Sequence, residues 1–265
     1  MRWLQHLIVS ALLLALAGAV HAELQTETVE YNIRGQTFSG YIAWDDAVEG
    51  KRPGVLVVHE WWGHNEFVRD QAERLAREGY TAFALDMYGA DRKAEHPDDA
   101  KAFMKEATSD FKKTRRRFNN AREILMRHKT VDPQRIAAQG YCFGGSVVLN
   151  MARDGADLDG VVSYHGSLGS ALVAEPDNVK ARMRVFTGGA DNFVPPKQVA
   201  DFVQEMQKAG ADLTLTTFPG VKHSFTNPGA DQFAQKFDMP VAYDQQAAER
   251  SWQETLEFYN RIFKQ

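Results

Sequence analysis

An α/β fold, with a mostly parallel central sheet and helices on both faces, is what this sequence predicts. Three observations carry the prediction. Short apolar runs recur, as in PGVLVVHE over Pro53–Glu60, and a continuous β-branched run marks a strand covered on both sides. Stretches with apolar residues at helical spacing separate these runs. No Pro/Ser/Gly-rich linker and no internal repeat divides the chain, so strand and helix alternate within one sheet.

The elements follow in order. TVEYNI and TFSGYIAW alternate around RGQ and predict an opening hairpin. Pro53–Glu60 is the first buried strand. NEFVRDQAERLAREG carries Phe67, Ala72, Leu75 and Ala76 on one face and stops at Gly79, which predicts an amphipathic helix with a glycine terminus. YTAFALDMYG is a second buried strand, with Asp86 near its end. Ala100 to Lys129 is charged and helical, broken near Thr108–Ser109. RIAAQGY is a strand, and GGSVVLNMARDG is the helix that leaves it. LDGVVSYHG and RVFTGGAD are further strands. PPKQVADFVQEMQKAG is a helix opened by proline and closed by Gly210. ADLTLTTFPG alternates as a strand, and VAYDQQAAERSWQETLEFYNRIFK reads as a long terminal helix.

The 265 residues hold 31 Lys+Arg against 35 Asp+Glu, and this mildly acidic balance argues against nucleic acid as a partner. MRWLQH, an apolar run LIVSALLLALAGAV and the small-residue end VHA have the order of a secretory signal. The run is short for a membrane span, which needs roughly 20 apolar residues. Residues 1–22 are therefore expected to be a signal peptide cut after Ala22, and residues 23–265 one periplasmic or secreted domain with no membrane contact once cut. The sequence sets no oligomeric state; a monomer fits it. Cys142 is the single cysteine, so no internal disulfide can form and stability must come from the core.

In parallel sheets chemistry gathers at the carboxyl ends of strands. Glu60, Asp86, Cys142, His165, Asp191 and His223 all fall there. Gly140-Tyr141-Cys142-Phe143-Gly144 has the form G-x-nucleophile-x-G, after a strand and before a helix. A turn this sharp strains its central residue and leaves no room for side chains two positions away, hence the glycines. It aims a helix amino end at the thiol, where partial positive charge favours thiolate and can hold an oxyanion. A buried, inert cysteine at a glycine-rich corner is the competing reading. Asp191, after a buried strand, and His223, after the next, decide between them. They complete the chain order nucleophile, acid, histidine. Thiolate is the reactive form, His223 can take the proton, and Asp191 can fix the imidazole tautomer.

HEWWGH tempts a metal reading, but His59 and His64 are five apart and interrupted by Gly63, which does not match the zinc spacing of one helical turn. No metal and no cofactor is expected. FKKTRRRF is expected to be a solvated helix face. His165 is expected either on the pocket wall or as a hydrogen-bonded structural histidine, and Asp86 as a loop buttress.

VVHEWWGHN, GYCFGG, GGADNFVPP and PGVKHSF together resemble the successive signatures of the dienelactone hydrolases, and the resemblance spans nearly all of residues 23–265. It implies the α/β-hydrolase fold and a Cys142–Asp191–His223 triad. It implies that Glu60 contacts the thiol and helps activate it, and that the backbone N–H groups of Phe143 and Trp61 form the oxyanion hole. A carboxylate beside a thiol raises the thiol's pKa, so this site is expected to rest as a protonated thiol until substrate arrives.

The implied activity is hydrolysis of activated carboxylic esters or lactones through an acyl-thioester, on a small-molecule substrate. Members that open dienelactone hold its carboxylate with arginines. One of those places holds Asn227 here; near the other stands Ala90, with Arg92 two residues on. The clamp is absent or rebuilt, and the dienelactone substrate does not transfer. Trp62, Phe225, Asn227 and Tyr88 are expected to bind substrate, and the aromatic residues among them, with Trp61 and Phe143, predict an apolar pocket. The alternative is a non-catalytic binding module on the same fold, disfavoured because every triad position is kept.

Overall fold

The computed structural model describes residues 23–264. The expected signal segment lies outside the described residues. Among these residues eight strands form one sheet: β1 (Leu24–Ile33), β2 (Gln36–Asp45), β3 (Arg52–Val58), β4 (Thr81–Leu85), β5 (Val131–Tyr141), β6 (Gly160–Tyr164), β7 (Arg182–Gly188) and β8 (Leu213–Phe218). Their order is β1-β2-β4-β3-β5-β6-β7-β8. β1 and β2 run antiparallel at one edge, β2 meets β4 antiparallel, and every later pairing is parallel.

The opening hairpin turns at Arg34 and Gly35, both with positive φ (53° and 84°). Two left-handed residues match the twist of the flanking strands. Val55, Leu56, Val57 and Val58 are fully buried, as a continuous apolar run requires.

The described residues form seven helices around the sheet: α1 (Glu66–Arg77), α2 (Pro97–Thr108), α3 (Phe111–Arg127), α4 (Phe143–Arg153), α5 (Pro196–Lys208), α6 (Ala230–Phe237) and α7 (Gln245–Phe263). The core has two halves, one on each face. Phe118 and Leu125 of α3, Val148 of α4 and Phe202 of α5 pack with Leu56 and Val58 on one side. Leu75 of α1 and Trp252 and Tyr259 of α7 pack with Val55 and Val57 on the other. Alternate residues of β3 thus feed opposite faces, as the period of a strand dictates.

Two elements differ from the sequence reading. The terminal helix starts at Gln245 rather than Val241, because the Asp244 side chain accepts from the Ala247 N–H at 2.8 Å and caps it there. Val241 instead bridges His223 in a single parallel pair. Helix α6 went unread; its eight residues are too few to display a helical period. The helical stretch from 100 to 129 does break where expected. Asp110 caps α3 by accepting from the Lys112 N–H at 2.9 Å. Its basic run is committed within the fold: Lys113 pairs with Glu106 at 3.0 Å, and buried Arg117 donates to the Met87 carbonyl at 2.6 Å.

Candidate active site

The bend between β5 and α4 holds Cys142 at φ 53° and ψ −114°, a conformation that strains any residue with a Cβ. A Cβ on Gly140 would sit 2.2 Å from the Gly144 carbonyl oxygen, and one on Gly144 would sit 2.2 Å from the Val58 carbonyl oxygen. The two flanking glycines are therefore steric necessities of the turn. The Cys142 N–H donates both to the Tyr164 carbonyl, at 3.0 Å, and to Nδ1 of His165, at 3.1 Å. Cys142 is partly exposed, so it is not sealed in the core.

His223 and Asp191 arrive on the loops after β8 and β7. Nδ1 of His223 lies 2.7 Å from Oδ2 of Asp191, and both residues are buried. Asp191 is fixed in turn, since its Oδ1 accepts from the Phe193 N–H at 2.8 Å. Burial disfavours the charged imidazole. The Cys142 sulfur and the Asp191 carboxylate outweigh it, raising His223 to about 10. The carboxylate thus holds one side of the imidazole, and the sulfur lies on the same cavity wall.

The N–H groups of Trp61 and Phe143 make no hydrogen bond among the described residues. Phe143 opens α4, where the helix leaves its first donors unsatisfied. Both residues line the same cavity as Cys142 and His223.

Glu60 is placed differently from the expectation. Its carboxylate accepts from Ser224 Oγ at 3.1 Å and from Asn227 Nδ2 at 2.6 Å, not from the thiol. Burial raises its pKa; Asn227, the charge of His223 and Ser224 work against that rise. Asn227, expected against substrate, is off the cavity wall because its amide is spent on Glu60. Phe225 and Tyr88 are corrected in the same way. Phe225 is wholly buried against His165 and Phe218. Tyr88 is wholly buried edge-on to His59, with its hydroxyl donating to the Trp61 carbonyl at 3.1 Å. Both side chains support the site from behind. Trp62 does line the cavity.

The cavity of about 360 Å³ is largely apolar, with Met104, Phe193, Phe233, Met239 and Val241 on its walls. Sequence reasoning missed these. Phe233 stacks on Trp62 with ring centroids 4.3 Å apart, and it sits on the unread helix α6. Phe193 is the one with a readable signal: it stands two residues after Asp191 and is 46% exposed despite its size. Among the described residues on the wall, Lys101 is the one basic side chain besides His223. Arg92 is engaged elsewhere, paired with Glu106 at 2.7 Å and laid over Phe103.

His165 is structural. Its Nδ1 accepts from Cys142, so Nε2 carries the proton and donates to Thr226 Oγ1 at 2.8 Å. Burial and the His223 charge hold its pKa well below the ordinary histidine value. Asp86 buttresses a loop, accepting from the N–H groups of Tyr88 and Gly89 at 2.8 and 3.0 Å. His59 and His64 each spend a ring nitrogen on a backbone carbonyl, those of Glu60 and Ala84.

The profile of the dienelactone hydrolase family matches residues 38–263. The chain belongs to the dienelactone hydrolase family. The protein usf of Aquifex pyrophilus is 28% identical over 238 residues, 88% of this chain and 97% of that protein. A relative in Aquifex aeolicus, provisionally named carboxymethylenebutenolidase, is 27% identical over 243 residues, 90% of this chain and 99% of its own. Among solved structures, a dienelactone hydrolase-like promiscuous phosphotriesterase from metagenomic libraries superposes with a TM-score of 0.82 at 29% identity, covering 90% of this chain and 98% of that one. Sheet order and neighbours together make this an α/β-hydrolase fold, and this dienelactone hydrolase-like protein is an enzyme acting on ester bonds.

Proposed function

We propose that the chain hydrolyses activated carboxylic esters or lactones with Cys142 as nucleophile, His223 as acid and base, and Asp191 as the group that orients it. One observation carries this reading: on the bend after β5, a partly exposed sulfur faces an imidazole whose other nitrogen is held 2.7 Å from a buried carboxylate. Sulfur attacks the carbonyl carbon, and the thiol proton resides on His223. The carbonyl oxygen, now negative, accepts from the N–H groups of Trp61 and Phe143. Collapse breaks the C–O bond, and His223 gives its proton to the departing oxygen, leaving an acyl-thioester on Cys142. Water then attacks the thioester, losing a proton to His223, and the acid departs as the sulfur is released.

Thiolate leaves more readily than alkoxide, because the weaker base is the better leaving group. Collapse goes forward best when the leaving oxygen is itself stabilised, as in enol lactones and aryl esters. The apolar wall supports the same class, and among the described residues that line it no arginine stands to demand a carboxylate on the substrate. A phosphotriester, whose P–O bond also expels a stabilised oxygen, belongs in the same panel because a structural relative carries that activity in its name.

The test is a panel of aryl, enol-lactone, alkyl and phosphotriester substrates on the native chain and on Cys142→Ala. Intact-mass trapping of the acyl-enzyme accompanies it. Aryl and enol esters should turn over well ahead of alkyl esters, and Cys142→Ala should lose all of it. A native protein that is inert yet binds a partner would establish the binding-module alternative instead. We further read residues 1–22 as an export signal; amino-terminal sequencing of the exported protein should begin at Glu23.

A further inference from the structure

A second cavity, of about 240 Å³, adjoins the first and shares Phe143 and Ser146 with it. Its wall includes Val147 and Asn150 of α4, Thr114 of α3 and Ala171 of the loop after β6. Residues 143, 146, 147 and 150 recur at helical spacing, so they form one face of the helix that begins at the nucleophile. We infer that this cavity takes the acyl arm of a two-armed ester, while the alcohol arm lies over His223 in the aromatic cavity. The inference rests on the hydrolase reading above and names its substrate class.

The chemistry divides the arms. The departing oxygen must receive a proton from His223, so the alcohol arm lies on the histidine's side, against Phe193, Met239 and Val241. The oxyanion points at the N–H groups of Trp61 and Phe143. One substituent remains on the carbonyl carbon, the acyl chain, and it is directed away from His223 along the Phe143–Ser146 face. Ser146 is fixed there, its hydroxyl donating to the Ser167 carbonyl at 3.1 Å. Farther along, Asn150 Oδ1 accepts from Arg153 at 3.1 Å, and its Nδ2 has no hydrogen-bond acceptor among the described residues. The cavity therefore suits an acyl chain several carbons long that ends in an acceptor, such as an oxo or hydroxy group. A small lactone ties both arms together and fills only the first cavity.

The test measures kcat/KM for para-nitrophenyl acetate, butanoate, hexanoate and 5-oxohexanoate. The native enzyme should gain up to about fourfold per added methylene and favour the oxo ester over the plain one. Ala171→Trp, which fills the second cavity from its exposed loop, should bring the hexanoate-to-acetate ratio towards one; a ratio does not depend on how much of the variant folds. A native ratio near one, or a ratio untouched by Ala171→Trp, overturns the two-armed site while turnover itself upholds the hydrolase. If no ester turns over, the hydrolase reading has failed, and binding of the same esters to Cys142→Ala, followed by tryptophan fluorescence, decides the arm. Tightening with acyl length that vanishes on adding Ala171→Trp supports it, and affinity independent of length overturns it.

Discussion

His223 and Asp191 meet at 2.7 Å across 32 residues of sequence, both buried at the carboxyl end of the sheet. With the carboxylate at Nδ1, that nitrogen holds a proton, which leaves Nε2 to exchange one with Cys142 in the proposed mechanism. Asp191→Asn keeps the shape and loses the charge that selects this tautomer. Turnover should fall by about 10³-fold or more, while circular dichroism should show the native fold retained. A variant retaining a tenth of native kcat would remove Asp191 from the mechanism.

The same contact sets a pH dependence of stability. His223 titrates at 6.5 when unperturbed and at about 10 in the fold. Between those values the folded state keeps a proton that the unfolded chain has released. Stability from this group is thus complete below pH 6.5 and is lost as pH rises towards 10. Thermal melts between pH 6 and 10 should show Tm declining in the native chain, and His223→Gln should flatten that decline. Cys142→Ala should flatten it too, since the sulfur is the largest influence raising the imidazole.

Asn227 should matter through Glu60. Its amide donates at 2.6 Å to a carboxylate that is 2% exposed. Asn227→Ala leaves that oxygen without its donor, which costs about 1–3 kcal/mol. Urea titration should show the loss, and the Glu60→Ala/Asn227→Ala double variant should lose less than the sum of the single ones.

Gly144→Ala tests the bend itself. The added Cβ meets two backbone oxygens, Val58 at 2.2 Å and His59 at 2.7 Å, and no side-chain rotation relieves either. Destabilisation of about 3 kcal/mol or more is expected, together with loss of turnover. Ser146→Ala, two residues along on the same helix, should leave the fold intact. A Gly144→Ala protein with native stability would mean that the turn has slack the distances do not show.

Much of this was legible in the residues. Apolar runs and helical spacing give the layers because burial on two faces dictates them locally, and Val55–Val58 show it. Gly140, Cys142 and Gly144 announce the bend because only glycine fits there. Asn227, Tyr88 and Phe225 were misplaced for a physical reason: a polar or aromatic residue near a strand end looks the same in sequence whether it faces substrate or holds up the residue that does.

Residue order sufficed for the two-faced sheet, the strained bend at Cys142 and the loops that deliver a histidine and an acid, since each follows from contacts a few residues apart or from backbone sterics. Three features emerge from the folded arrangement instead: where Glu60 points, the proton that His165 donates to Thr226, and the closing of the aromatic wall by α6. Those depend on which side chains from distant segments arrive within about 3 Å of one another, and hydrogen-bond partners so far apart along the chain leave no periodic trace in it.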